Sequence, residues 1–300
     1  MIAKVTSVRD ALFVVGMGRS GTSALTRVIS FCGAALPLHV LAANFANPTG
    51  YWEPQRAVEI NDRFLSAHSS SWYDAGLALQ LAAPPAVVRH QFVAEIADFL
   101  GTGFGGDGPI VLKEPRISGL LPYWKLAVNS LGFAAKFIHI FRNPADVATS
   151  LAVRDGLAAG DSFALWLKYN LLAERAARTA PRIFVSFEDV MRNWESVVAR
   201  CIADLRIDIV IRDDTRDFVA RFLTPTLHHH RDTTVETAPL DPALVGWVQR
   251  VYDVLLHARA GQIRTGEMDE IFTSYVESRR SAEFPFTHRT DSEVRGARGH

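Results

Sequence analysis

The chain has 300 residues, 48% of them hydrophobic, and its 32 Lys and Arg balance 32 Asp and Glu. That composition describes a folded chain with one large core, and the zero net charge excludes a global basic field that would draw it to nucleic acid or anionic membrane. Two cysteines exclude a disulfide framework, and no apolar run approaches the ~18–20 residues of a membrane helix. The first apolar stretch comes late and is too short for a secretory signal, so a reduced, cytoplasmic setting is the expectation.

Residues 11–15, Ala-Leu-Phe-Val-Val, read as a buried strand running into the turn Gly16-Met-Gly-Arg-Ser-Gly-Thr-Ser23, after which residues 22–31 show helical periodicity. Gly16 and Gly21 have the spacing of a Walker A loop, but Thr22 stands where that loop has its lysine. Such a turn offers backbone N–H groups and a helix N-terminus to a phosphate. It lacks the group that reaches the β- and γ-phosphates of a nucleoside triphosphate, so a phosphorylated ligand other than ATP is expected. Next comes Asn47-Pro-Thr-Gly-Tyr-Trp-Glu-Pro54, a loop by its proline and glycine content, leading to a helix over 54–68. Glu53 is a candidate general base there, with Tyr51 and Trp52 placed to desolvate it and raise its pKa. A helix-capping role for Glu53 is the alternative.

Residues 109–112 and 137–141 are further apolar runs, ending at Lys113 and Arg142, and 183–187 is a fourth, ending at Glu188. Continuous apolar strands separated by helices indicate a parallel sheet covered on both faces, with ligands beyond the carboxyl ends of its strands. Lys113 is therefore a candidate for stabilising developing negative charge. Its neighbour Glu114 is a rival base or an ion-pair partner of nearby cations, and Arg116 is expected to brace the loop. After Arg142, Asn143 and Pro144 make a good N-cap and first helical residue, and Asp146 suits the positive end of the helix dipole. Ser150 lies about two turns further on the same side, so Arg142 and Ser150 can hold one phosphate. Arg142 paired with a surface carboxylate is the alternative. Helices are also expected over 162–179, 194–205, 215–223 and 242–260. His139, in the middle of an apolar strand, reads as a core histidine, and Cys32 and Cys201 as buried structural thiols. Trp72, Tyr73, Tyr123 and Trp124 line either a pocket or the core. His228-His-His-Arg231 does not read as a metal site, because consecutive side chains cannot converge, although Arg231 is a candidate phosphate contact.

The glycine loop x-x-R-S-G-T-S after the first strand, with R-N-P-x-D-V-x-x-S after a later one, resembles the sulfotransferases that use 3′-phosphoadenosine 5′-phosphosulfate. The likeness extends over roughly residues 11–205, and Val185-Ser-Phe-Glu-Asp189 looks like the strand that follows the second motif in that family. The resemblance implies an α/β fold, a P-loop-like three-layer αβα arrangement with a central parallel β-sheet, over residues 1–278; the polar, glycine- and arginine-bearing composition of 279–300 reads as a disordered tail. It implies that Arg19, Ser20, Gly21, Thr22 and Ser23 bind the 5′-phosphosulfate and that Arg142 and Ser150 bind the 3′-phosphate. Arg19, Lys113 and Glu53 would then be catalytic, no metal would be required, and adenosine 3′,5′-bisphosphate would be the product. The acceptor would be a small molecule, carbohydrate or lipid. Three departures stand out: Arg19 replaces the lysine of many cytosolic members, no lysine-histidine pair follows the second strand, and the C-terminal arginine-lysine-glycine segment is absent. The chain is therefore more similar to the bacterial and carbohydrate-modifying branches, several of which use glutamate as base. A P-loop kinase or hydrolase, and a non-catalytic nucleotide-binding relative, are the competing classes.

Overall fold

A computed structural model describes residues 8–44, 47, 49–223 and 240–280. Among them, four parallel strands form one sheet in the order β2-β1-β3-β4: β1 (Asp10–Val15), β2 (Ile110–Leu112), β3 (Ala134–Phe141) and β4 (Arg182–Ser186). β1 occupies the interior, paired with β2 through Ala11↔Ile110 and with β3 from Asp10↔Ala134 to Val15↔His139. The parallel registers put the carboxyl ends of the strands along one edge, as the apolar runs required.

Side chains alternate across β1, so Leu12 and Val14 face one layer while Phe13 and Val15 face the other. The first layer is α1 (Thr22–Phe31), α8 (Phe187–Leu205) and α9 (Asp213–Phe222), contributing Val28, Ile29, Val198 and Val219. The opposite layer contains α5 (Pro115–Ser130) and α7 (Ala159–Ala177). There Phe13 stacks on Phe137 at 5.3 Å between ring centroids and meets the edge of Trp124 at 6.4 Å. Each such fully buried apolar side chain contributes roughly 1.5–3 kcal/mol relative to exposure. α2 (Gln55–Ala67) and α4 (Ala86–Thr102) pack outside α5, α3 (Ala78–Leu81) is a single short turn, and α6 (Pro144–Asp155) packs on α7. α10 (Pro242–Arg259) and α11 (Thr265–Arg280) also cover α7.

Two departures from the sequence expectations have local causes. The fourth strand stops at Ser186, and a helix starts at Phe187 rather than at residue 194, because Ser186 and Asp189 form a reciprocal capping box. Asn193 (φ −154°, ψ 74°) breaks that helix, and its side chain caps the amide of Ser196, which restarts the helical pattern where the periodicity becomes legible. α5 escapes notice because Gly119 and Pro122 interrupt its pattern. Cys32 and Cys201 are buried in the first layer, and burial pushes both thiols up to about 12. The anticipated tail lies outside the described residues beyond Arg280, as do His228–Arg231.

Candidate active site

The loop after β1 is built around two glycines that no other residue can replace without strain. Gly16 has φ 129°, and a Cβ on it would overlap the Ile140 carbonyl of β3. Ser118 of α5 clamps the same residue from the other side, its Oγ accepting from Gly16 N at 3.1 Å and donating to Gly16 O at 3.2 Å. Gly21 has φ 85°, and a Cβ there would overlap the Phe187 ring. Arg19 is also left-handed, at φ 68°. α1 begins without a side-chain cap and without an acidic residue in its first turn, so its N-terminal amides face outward as an anion cradle. The Ser20 hydroxyl is buried with no hydrogen-bond partner, and Ser23 donates to the Tyr51 carbonyl at 3.2 Å.

Arg142 leaves the end of β3 with its carbonyl held by Trp166 Nε1 at 3.1 Å. Asn143 caps α6 by accepting from Ala145 N, with Pro144 in the first turn, as the sequence indicates. The Arg142 guanidinium lies 4.6 Å over the Phe187 ring and donates to Asp146 Oδ2 at 3.3 Å, a single long contact with a half-exposed carboxylate. Ser150, on the same helix, accepts from Arg19 Nε at 2.8 Å. That bond joins the glycine loop to α6 across 131 residues of sequence. Burial first, and then the nearby charge of Arg154, pull Arg19 down to about 10. Arg154, one turn beyond Ser150, grips the Asp155 carboxylate and lies 5.2 Å over Trp72.

Lys113, just past β2, is buried and forms an ion pair with the buried Glu53. Its ammonium also points at the Tyr51 carbonyl, at 3.4 Å. Of the aromatics that flank Glu53, the Trp52 ring lies against Arg27 at 4.3 Å and Tyr51 donates its hydroxyl to Asn44 at 2.9 Å. The alternative that Glu53 caps α2 does not hold, since the cap residue is Pro54 with no side-chain bond. Glu114 turns inward instead, accepting from Arg116 at 2.6 Å, from Asn61 at 2.7 Å and from the first-turn amide of α5. Burial pushes its carboxyl up against the opposing pull of Arg116. Arg116 also pairs with Asp62, so both residues brace α5.

These groups surround one cavity of about 210 Å³ beyond the carboxyl ends of the strands. Arg19, Lys113, Arg142 and Arg154 line it, with Glu53 the acidic member. Ser150 and the loop residues Gly21, Thr22 and Ser23 complete it. Sequence reasoning missed Arg154 and Phe187. Arg154 had a signal, lying four residues after Ser150 on the same helical face. Phe187 was taken for the end of a strand. His139 sits in the core, bonded to Asn170 Oδ1 at 2.8 Å, and burial lowers it to about 4. Trp72 reaches the loop, with Gly18 beside its ring; Trp124 is core, and Tyr123 packs against Phe64 and Phe92. Among the described residues, no three His, Cys, Asp or Glu side chains are grouped to hold a metal ion, and no helix is long and apolar enough to cross a membrane.

No protein-family model and no curated protein matches this chain. Among solved structures it is similar to the "Sulfotransferase Domain from the Synechococcus PCC 7002 Olefin Synthase", at 18% identity and TM-score 0.47, over 81% of this chain and 94% of that one. It is similar to sulfotransferase STF1 from Mycobacterium tuberculosis H37Rv at 14% identity and TM-score 0.40, covering 72% of each chain. It is also similar to the sulfotransferase domain from the curacin biosynthetic pathway, at 15% identity and TM-score 0.39 over 96% of each chain.

Proposed function

We propose that the protein is a sulfotransferase that moves a sulfuryl group from 3′-phosphoadenosine 5′-phosphosulfate to a hydroxyl or amine of a small-molecule, carbohydrate or lipid acceptor. The observation that carries this reading is the Arg19–Ser150 hydrogen bond, because it brings the two motifs of the sequence into one cation-lined crevice. A donor with phosphate at two positions needs such a double cradle. The uncapped α1 terminus fits one phosphate, and Arg142 with Ser150 fits the other. A kinase-type phosphate site would instead need the loop lysine and a strand-end aspartate for magnesium. Thr22 stands at the first position, and Lys113 and Arg142 follow β2 and β3.

When bound, the donor supplies the sulfuryl group and leaves as adenosine 3′,5′-bisphosphate. The acceptor oxygen or nitrogen bonds to sulfur as the sulfur–oxygen bond to the leaving phosphate breaks, and the acceptor's proton passes to the Glu53 carboxylate. Lys113 holds Glu53 in place with one N–H and meets the Tyr51 carbonyl with a second, leaving its third donor for the charge that grows on the leaving oxygen. Arg19 and the loop amides serve the same charge. No metal takes part in this scheme.

Calorimetric titration with adenosine 3′,5′-bisphosphate, beside magnesium-ATP, tests the proposal. Metal-independent binding of the bisphosphate is expected. Arg142→Ala should weaken it by about 1.5–3 kcal/mol, the scale of a charge-assisted hydrogen bond. Preference for magnesium-ATP would overturn the reading, and bisphosphate binding without sulfate transfer to any acceptor would leave a binding protein in its place.

A further inference from the structure

A second, larger cavity of about 470 Å³ opens between α3, α4, α5, α7 and α11, away from the phosphate crevice. Its walls are mostly apolar, and Leu126 stands 57% exposed at its edge. The volume falls within the ~300–1,000 Å³ of ordinary small-molecule sites. Charge makes it more than a packing gap: Arg89 and Arg175 line the cavity, and none of its described lining residues is acidic. Gln80 stands in the wall, its Nε2 donating to the Gly119 carbonyl at 3.3 Å. Asp269 holds Arg175 from outside at 2.6 Å, while Arg89 is exposed at the rim.

We propose that this cavity binds a small apolar organic anion, with its apolar body between α5 and α7 and its anionic group at Arg89. Ser118 is the link to the rest of the molecule. It lines this cavity and also clamps Gly16 at the root of the glycine loop, so an occupant rests against the residue that sets that loop's position.

Anilinonaphthalenesulfonate tests this directly, because it combines fused rings and a sulfonate, and fluoresces on entering an apolar site. N-phenylnaphthylamine, with the same rings and N–H but no charge, is the control. Saturable one-site binding of both dyes to the full chain is expected, with no displacement by adenosine 3′,5′-bisphosphate. Gly119→Leu projects a side chain into the cavity from a helical position, where an added Cβ meets only ordinary contacts, at 3.7 Å to Gln80 and 3.9 Å to Leu172. It should weaken both dyes about tenfold or more, the equivalent of about 1.4 kcal/mol. Arg89→Glu should weaken only the sulfonate dye. Absence of saturable binding, indifference to Gly119→Leu, or displacement by the bisphosphate would overturn the site. Equal effects of Arg89→Glu on the two dyes would overturn its anionic specificity. None of these outcomes depends on whether the phosphate crevice binds the sulfuryl donor.

Discussion

Breaking the Lys113–Glu53 pair separates what these residues do for the fold from what they do for chemistry. Their side chains are 4% and 8% exposed, so each removes the other's need for water. Deleting one partner of a buried pair costs about 3–5 kcal/mol, because the remaining charge is stranded away from solvent, whereas deleting both is often close to neutral. Lys113→Met strands the Glu53 carboxylate and should cost about 3 kcal/mol. Glu53→Gln keeps an oxygen for the Lys113 ammonium, which still has the Tyr51 carbonyl at 3.4 Å, so about 2 kcal/mol is expected there. The double variant buries no net charge and should cost about 2 kcal/mol rather than the sum, a coupling of about 3 kcal/mol. Urea unfolding followed by tryptophan fluorescence measures all four proteins. Single-site costs that add to within about 0.5 kcal/mol would refute the buried pair. Sulfate transfer by the same four proteins tests the other role. If Glu53 is the base, Glu53→Gln, the milder of the two single changes, stays folded and loses turnover; unchanged turnover would remove Glu53 from the mechanism.

His139 supplies a pH signature. Its folded pKa of about 4 lies below the ordinary 6.5, so the unfolded chain takes up the proton first and stability falls as pH drops through that window. Between pH 7 and pH 5 the wild type should lose about 2 kcal/mol more than His139→Gln, and equal losses would contradict the buried neutral histidine. Gly21→Ala meets both a left-handed backbone and the Phe187 ring, which in turn supports Arg142. It should cost about 1–2 kcal/mol in stability from the backbone alone and weaken bisphosphate binding, as read by calorimetry. Unchanged binding would show that the loop tolerates the displaced ring.

The elements that carry the site were legible where local physics suffices. The run from Ala11 to Val15, the glycines at 16 and 21, and the Asn143-Pro144 start of α6 each carry a local mark, an unbroken apolar run, a glycine spacing or a capping residue, that can be read without the distant partners they meet. α5 was not legible, because Gly119 and Pro122 disrupt its pattern while buried side chains such as Leu121 and Trp124 hold it in place. The fates of Glu53 and Glu114 were beyond reach for a different reason. Both are carboxylates beside prolines, yet one meets Lys113 across 60 residues and the other meets Asn61 across 53. Which partner each meets depends on how α2 packs against α5.

By itself, the sequence determined that a phosphate-binding turn follows the first strand, that an arginine and a serine start a later helix, and that a parallel sheet connects them. Only the tertiary structure decided that these groups meet. Parallel register aligns the carboxyl ends of β1, β2 and β3 on one edge, so Arg19 reaches Ser150 and Lys113 reaches Glu53. Contacts between residues 60 and 131 positions apart are set by packing of the whole core, to which local propensity is blind.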